Sequence, residues 1–600
     1  MENINSENKK ILILFILTII FSMLINVFHP YLWGPDEPRV AEIARETFVG
    51  GNYITPHLCG RPFVEKPPLY FDMLALSYAL GGIKPGVARL VSALLGCIML
   101  AVAFGIGYCR GGLRRAVFAT ALLIMMPQFY RAAHFIATDI GVGAFCALAL
   151  GIFMYYEYWS VNKDKRWFLY LFYLASAGAF LTKGLIGIFH IGIVIGVFIL
   201  IRRRWDLLKR MLSPAPMLIF LIPVGIWIYL FYREGGIYFL HEHFINNTIG
   251  RFVHIQFKIT GSELALTDIG NASPWYFYLK RAPVMFAFSV AFLPLILWDA
   301  LRKLNILPSS WILYAEDLKK DVKNWKTVVI SFLLFLLNDR KKQLCDKQKD
   351  IILFLLLWAF LPVFLLSFSS IKEVSYILPS YVAIAVMVAA WLDQRLNITD
   401  TVFKGILWFS LLVIPVGIAS FTLAPTYPKV YIIAGIVWMS LCLFAGIINI
   451  IKIHLTRGLL IIFAVLTCLV IIFNTPDVMR KTGLNRKCHI DLAKDVFAQV
   501  GNKNLYIYGG DETLRGSMPF YGKRHVPVII GHAAFKEVLS HGKNNFVIII
   551  NNHLRIMSND KEIIRVLSHC EVKPLPYKNL SDDYTLIKAP GKTKNGKANK

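Results

Sequence analysis

The residues best suited to chemistry lie in short polar stretches between long apolar runs, and the richest stretch is YLWGPDEPRVAEIARETFVGGNYITPHLCGRPFVEKPPLYFD, residues 31–72. Asp36 stands at the head of an amphipathic pattern, Val40, Ile43, Ala44 and Phe48, that predicts a helix lying on a membrane surface. With Pro38 in the first turn, Asp36 suits a helix cap as well as it suits an acid at a surface cleft, and residue type leaves both open. Glu65 and Lys66 precede Pro67 and Pro68, whose fixed backbone imposes an extended turn and can aim both side chains at one place. A solvated ion pair is the plain alternative.

Further candidates follow at the ends of later apolar runs. Asp139, after RAAHFIAT, reads as a second acid or as an N-cap shared with Thr138. Lys183 in FLTKGLIG and Lys372 in SFSSIKEVSYILP read as site cations or as snorkelling anchors. HEHFINNTIGRFVH sets His241, His243, Asn246 and Arg251 near aromatic residues. The His-X-His spacing is a weak metal signature, whereas the planar fork of Arg251 suits phosphate oxygens. Arg39, Lys66, Lys183, Arg251 and Lys372 on one face would form a phosphate trap.

Bringing these residues to one face requires a definite threading. The run ILILFILTIIFSMLINVF after Lys9 and Lys10 has the charge order of a signal peptide, but it is long and lacks a small-residue cleavage site. It is read as an uncleaved span with a cytoplasmic N-terminus, which leaves residues 29–85 outside. Further spans are predicted near 86–109, 116–130, 139–158, 167–182, 185–201, 214–232, 282–300, 351–368, 374–392, 403–424, 430–452 and 457–474, about 13 in all. RGGLRR, SVNKDKRW, RRRWDLLKR and the basic stretch before 351 then fall inside, while 233–281 and everything after 474 fall outside. The short apolar runs at 69–82 and 327–338 are assigned to a juxtamembrane helix and a cytoplasmic or interfacial one. Residues 1–474 thus form a polytopic α-helical membrane domain.

Beyond it the period changes. NLYIYGG, VPVIIG and NFVIIIN read as short buried strands, and IDLAKDVFAQV, HAAFKEVLSHG and KEIIRVLSHC as amphipathic helices, so 475–590 is expected to be a small α/β domain. Residues 591–600 form a lysine-rich tail expected to be disordered. The tail domain carries no nucleophile elbow, phosphate loop or dinucleotide motif, and a role in covering the outer cleft or contacting an acceptor fits it best.

Composition agrees. Hydrophobic residues make up 56% of the 600, and the net charge of +27 resides mainly in the short loops between apolar runs. That placement is explained by topogenic lysine and arginine rather than by nucleic-acid binding. The nine cysteines are scattered with no zinc spacing; Cys488 and Cys570 are the pair that an oxidising compartment would permit.

DEPRVAEIARE (36–46) and NYITPHLCGRPFVEKPPLYF (52–71), with Asp139 after ATD, LTKG at 181–184, IGRF at 249–252, SPWYFYL at 273–279 and SFSSIKEVSYILP at 367–379, resemble lipid-carrier-dependent glycosyltransferases. The similarity is to the family of the 4-amino-4-deoxy-L-arabinose transferase that modifies lipid A, related in turn to protein O-mannosyltransferases, and it covers the whole membrane part. It implies a GT-C-type fold, a bacterial inner membrane, an undecaprenyl-phosphate-linked sugar as donor, lipid A or a related envelope acceptor at the periplasmic face, and a monomer. By the same resemblance Asp36, Asp139 and Glu65 hold catalytic positions, and Arg39, Lys66, Lys183, Arg251, Lys372 and Tyr376 substrate or phosphate positions. A divalent metal ion, if used, would fall to Glu65 and His243, although Asn247 and Thr248 stand nearest the family's metal-associated histidine. Transfer of another sugar to lipopolysaccharide, another envelope glycan or protein is the alternative, and a polyprenyl-lipid transporter is the alternative outside enzymes.

Overall fold

A computed structural model describes residues 27–160, 167–255, 272–304, 347–395, 488–541, 545–557, 559–575 and 583–590, with isolated positions at 16, 19–20, 22–24, 257, 306 and 577. Most of the first predicted span, those near 403–424, 430–452 and 457–474, the helix at 327–338 and the basic tail lie outside the described residues.

The polar stretch richest in candidate residues folds as helix α1 (Asp36–Gly50), a hairpin of β1 (His57–Leu58) and β2 (Arg61–Pro62), and the short apolar helix α2 (Leu69–Gly81). The membrane part continues with α3 (Pro85–Ile124), α4 (Pro127–Ala133), α5 (Thr138–Tyr158), α6 (Trp167–Lys183), α7 (Leu185–Arg202), α8 (Trp205–Met211), α9 (Pro214–Leu240), α10 (Phe277–Phe286), α11 (Leu293–Lys303), α12 (Lys347–Leu366) and α13 (Ser380–Arg395). Among the described residues, α3, α5, α7, α12 and the run Pro214–Val253, which extends α9, are long and apolar enough to cross a membrane.

Within α3 the helix is broken at Gly111 and Gly112, the latter at φ 74°. A Cβ on Gly107 would stand 2.9 Å from the Cα of Ala116, whereas residues nine apart in a straight helix are separated by about 13 Å. The chain therefore reverses inside RGGLRR and gives two antiparallel helices, the arrangement the basic loop predicts. Arg115 and Arg114 meet Asp393 at 2.6 and 3.1 Å, Arg202 meets Asp350 at 2.7 Å, and Arg204 meets Glu157 at 2.8 Å. The basic loops are thereby neutralised at one end of the bundle, and the opposite end is left to the candidate residues.

Helix α1 departs from the expected surface helix. Its residues from Glu37 to Arg45 are buried, including Glu37, Glu42 and Arg45. The reason is charge satisfaction. Glu42 pairs with Arg45 at 2.6 Å, and Glu37 accepts from Arg89 at 2.7 and 2.8 Å and from the backbone N–H groups of Trp33 (2.8 Å) and Ile136 (3.0 Å). Arg89 spends its remaining donors on the carbonyls of His29 and Tyr31. With its charges cancelled internally, the helix can pack on all sides. A helix of the C-terminal region covers one of them.

That region contains α14 (Ile490–Val500), β3 (Asn504–Tyr508), α15 (Glu512–Gly522), β4 (Val528–Ile529), α16 (His532–His541), β5 (Asn545–Ile550), α17 (Asn551–Met557), α18 (Lys561–Leu567), β6 (Glu571–Leu575) and β7 (Tyr584–Lys588). The strands form one sheet in the order β4-β3-β5-β7-β6, parallel at β4-β3-β5 and antiparallel beyond. Every residue of β5 is buried, which suits a strand with apolar clusters on both faces of the sheet. Cys488 and Cys570 are both free thiols, so the pairing allowed by composition is not made.

Removing one partner of the Glu37–Arg89 pair leaves the other charged and buried, at a cost of about 3–5 kcal/mol. Glu37→Ala is therefore expected to lower the melting temperature of purified protein sharply, and Glu37→Leu combined with Arg89→Met to lower it less. Equal melting behaviour of Glu37→Ala and the wild type would contradict this account.

Candidate functional site

Delivery of Glu65 and Lys66 begins at the β1-β2 hairpin. Its two turn residues, Cys59 at φ 55° and Gly60 at φ 74°, adopt the left-handed conformation that matches the twist of a two-residue hairpin. Glu46 on α1 accepts from the N–H groups of Cys59 (2.7 Å) and Gly60 (3.0 Å), so the hairpin tip is tied to the helix. Trp227 of α9 donates to the Ile54 carbonyl at 3.2 Å, and the His243 ring bonds the Val64 carbonyl through Nδ1 at 3.0 Å. Both ends of the extended stretch before Pro67 are thus anchored. Residues 65 and 66 have little freedom in where they point.

Lys183 and Asp139 come from neighbouring helices. The pair is 2.5 Å apart, and a Cβ on Gly141 would stand 2.8 Å from Thr182 Cγ2, so glycine permits the close helix approach that joins them. Lys183 also lies 4.6 Å from the Tyr376 ring centroid, and the Tyr376 carbonyl is bonded by His190 at 2.9 Å. Asp139 does not cap α5 and Asp36 does not cap α1: the capping positions are Ala137 and Pro35, without a side-chain cap bond. Asp36 accepts from Arg39 at 2.5 Å, while Arg251 reaches Glu65 at 3.0 Å.

Three segments distant in sequence are joined by backbone bonds. Ser370 N–H donates to the Phe252 carbonyl at 2.8 Å, and its own carbonyl accepts from Ser273 N–H at 2.9 Å. Lys372 extends this seam, its ammonium bonding the carbonyls of Ser273 and Ser369. It therefore holds the wall together, and its donors are turned to the backbone. The IGRF, SPWYF and SSIKE motifs meet there, which places Arg251 and Tyr376 together.

The electrostatic centre is Lys66. It has no hydrogen bond or ion pair with any described residue. Its amine is pushed down from 10.5 to about 8 by burial first, then by Arg39 and Lys183, with Asp36 and Asp139 acting in the opposite sense. Those influences place Lys66 among both acids and both cations. Arg39 is held firmly charged by Asp36 and Glu512 despite its burial. Glu373 is pushed up by burial and by the nearby charges of Asp139 and Asp36.

The structure thus gathers Asp36, Arg39, Glu65, Lys66, Asp139, Lys183, Arg251 and Tyr376 at one end of the bundle. Sequence reasoning passed over Glu37, Glu373 and Glu512. Glu37 is hidden beside Asp36 in the same motif, and Glu373 beside Lys372. Glu512 offered no signal, because Gly516 and Pro519 interrupt the helical pattern of its segment.

As a metal site the arrangement does not fit. Among the described residues no three histidine, cysteine or carboxylate side chains gather for an ion. The Glu65 carboxylate is engaged by Arg251, and His243 commits Nδ1 to Val64 and sets Nε2 against Gly184, where a Cβ would lie 3.1 Å away.

A family model described as dolichyl-phosphate-mannose-protein mannosyltransferase matches residues 65–229. The chain is 26% identical over 375 residues to the undecaprenyl phosphate-alpha-4-amino-4-deoxy-L-arabinose arabinosyl transferase of Pseudomonas savastanoi pv. phaseolicola, covering 62% of this chain and 58% of that one. To the protein of the same name from Aeromonas salmonicida it is 26% identical over 364 residues, covering 60% and 56%. The matches thus span less than two thirds of these relatives. The crystal structure of ArnT from Cupriavidus metallidurans bound to undecaprenyl phosphate superposes with a TM-score of 0.71 at 19% identity, over 96% of this chain and 97% of that one. The fold is that of ArnT. The resemblance read from the motifs holds: in sequence the chain is similar to the aminoarabinose transferases and, over residues 65–229, to the protein O-mannosyltransferase family model.

Because a bound ion stabilises the state that binds it, added zinc, manganese or magnesium is expected to leave the melting temperature of purified protein unchanged, and so is chelation. A saturable upward shift with zinc that Glu65→Gln or His243→Ala removes would contradict this reading of the donor set.

Proposed function

We propose that this protein is an inner-membrane glycosyltransferase that moves a sugar from undecaprenyl phosphate to lipid A at the periplasmic face, with an aminosugar such as 4-amino-4-deoxy-L-arabinose or galactosamine as donor sugar. The observation that carries the reading is Lys66, a half-buried ammonium with no hydrogen bond or ion pair among the described residues, close to the carboxylates of Asp36 and Asp139. Such a group is ready for an anion that arrives from the membrane. A carrier phosphate is that kind of anion, and the undecaprenyl phosphate named for the similar transferases supports the choice.

Breaking a sugar–phosphate bond develops negative charge on the departing phosphate and positive charge on the sugar. Lys66 and Arg251 would stabilise the first, because fixed cations in a site of low dielectric act strongly without reorganising. Tyr376, beside Lys183, would add a hydroxyl donor to the phosphate. Asp36 would stabilise the second charge and orient the sugar. If the acceptor is a lipid A phosphate, already ionised near neutral pH, no strong base is required and Asp36 acts by position and charge. A hydroxyl acceptor would instead use Asp36 as a general base. The Asp139–Lys183 pair forms a fixed wall between these parts.

Mass spectrometry of lipid A and carrier lipids from cells with and without the protein tests the assignment directly: a missing sugar mass on lipid A is expected. A change confined to another glycan would move the acceptor elsewhere. In reconstituted vesicles, Asp36→Ala should lower transfer by about 100-fold or more while leaving undecaprenyl phosphate binding intact. Full transfer by that variant would remove Asp36 from the chemistry.

Lys66 also predicts a pH dependence. Its ammonium form, which binds phosphate, prevails below about 8, and the amine becomes neutral as pH rises through that value. Affinity for undecaprenyl phosphate is thus expected to fall above pH 8, approaching about tenfold per unit. Lys66→Arg, whose guanidinium stays charged, should flatten that limb. A flat wild-type profile through this range would overturn the role given to Lys66.

A further inference from the structure

The turn Gly509–Gly510–Asp511–Glu512 leaves the carboxyl end of β3, which has β4 on one side and β5 on the other. In parallel sheets this change of direction opens the crevice where ligands are ordinarily met. Here the crevice meets another part of the same chain. Arg515 fixes the turn by donating to the Gly509 carbonyl at 2.7 and 3.0 Å and to the Gly510 carbonyl at 2.9 Å. Asp511 caps α15 by accepting from Leu514 N–H at 2.8 Å. Glu512, in the first turn, then extends onto Arg39.

The register of that contact is set by close backbone approach. A Cβ on Gly516 would stand 2.3 Å from the Pro38 carbonyl carbon and 2.4 Å from Arg39 N, so α15 lies directly on the first turn of α1. Leu32 N–H donates to the Tyr521 hydroxyl at 2.8 Å, and Arg61 donates to the Val528 carbonyl at 3.0 Å, fixing the two sides of the contact. Arg39 is then divided: Nη1 faces Glu512 and Nη2 bonds Asp36 Oδ1. The Arg39 side chain is only 8% exposed, whereas those of Asp36 and Glu512 are 44% and 42% exposed, so two solvent-accessible carboxylates flank a buried cation.

We infer that Glu512 is a positioning residue for the transfer reaction: by pairing with Nη1 of Arg39 it holds the guanidinium in place and divides its charge between two carboxylates, so that Asp36 keeps part of its negative charge for the sugar. Without Glu512, Arg39 would pair with Asp36 alone and neutralise it more fully. The C-terminal α/β domain thereby completes the site. The inference rests on the role proposed above for Asp36.

The test is steady-state transfer from undecaprenyl phosphate-linked aminoarabinose to lipid A by full-length protein in vesicles, with undecaprenyl phosphate binding and melting temperature measured alongside. Glu512→Ala should lower kcat about tenfold or more, with donor KM and undecaprenyl phosphate affinity within about twofold of wild type. Glu512→Gln, which keeps the shape and an acceptor oxygen, should recover part of the loss. Wild-type kcat in Glu512→Ala overturns the inference. So does a parallel loss of kcat, carrier binding and melting temperature in both Glu512 variants. If Asp36→Ala is inactive while Glu512→Ala is fully active, the inference fails alone; if Asp36→Ala is itself fully active, the proposed role of Asp36 fails first.

Discussion

The buried contact between Glu37 and Arg89 is the fixed point from which the rest of the outer site is measured. One carboxylate meets two backbone N–H groups and two guanidinium donors, and the guanidinium uses its remaining capacity on carbonyls of the segment before α1. A pair this deep is tolerable only because every lone pair and proton near it is used. Its consequence for function is geometric. Asp36 adjoins Glu37, and Asp139 follows Ile136, whose N–H binds the same carboxylate. Both acids are thus positioned from a single buried group, although about a hundred residues separate them.

A second constraint comes from the membrane. Apolar helices cannot carry charges along their length, so charged side chains collect where helices end. Arg114, Arg115, Arg202 and Arg204 occupy one end, each with a carboxylate, while Asp139, Lys183, Arg251 and the outer loop occupy the other. Converting helix ends into a site then requires the loops to be tied across the bundle. Ser370, Lys372, His243 and Trp227 do this through backbone carbonyls and amides, which fixes loop position without using charged groups needed for substrate.

What was legible in the sequence follows from these two constraints. Apolar length and basic loops reveal helix ends, so the reversal at Gly111–Gly112 and the gathering of Asp36, Glu65, Asp139 and Lys183 at one end of the bundle could be read directly. NLYIY, VPVII and NFVIII are the strands β3, β4 and β5, because short buried strands are written in β-branched and aromatic residues. Helix α1 was misplaced on a membrane surface because its pattern shows charges but not their partners, and Glu37, Glu42 and Arg45 find theirs inside. Helix α15 left no legible pattern: Gly516 is required by contact with Pro38 and Arg39, and that contact belongs to tertiary structure. Pairings such as Arg251 with Glu65 are equally invisible to spacing.

The pairing pattern also bears on how the site could turn over. Arg39 is balanced by Asp36 and Glu512, Lys183 by Asp139 and Arg251 by Glu65, whereas Lys66 makes no ion pair among the described residues. A cluster of unpaired cations would bind the carrier phosphate strongly before and after transfer. Affinity shared equally by donor, transition state and departing carrier does nothing for the chemical step and slows release. With Arg39, Lys183 and Arg251 already paired, the proposed donor would be held only modestly in the ground state. Arg251 pairs with Glu65 at 3.0 Å, and in the proposed reaction its guanidinium would turn toward phosphate oxygens as their charge grows. Stabilisation would then rise along the reaction coordinate, because the carboxylates hold the other cations in reserve until the phosphate charge competes for them.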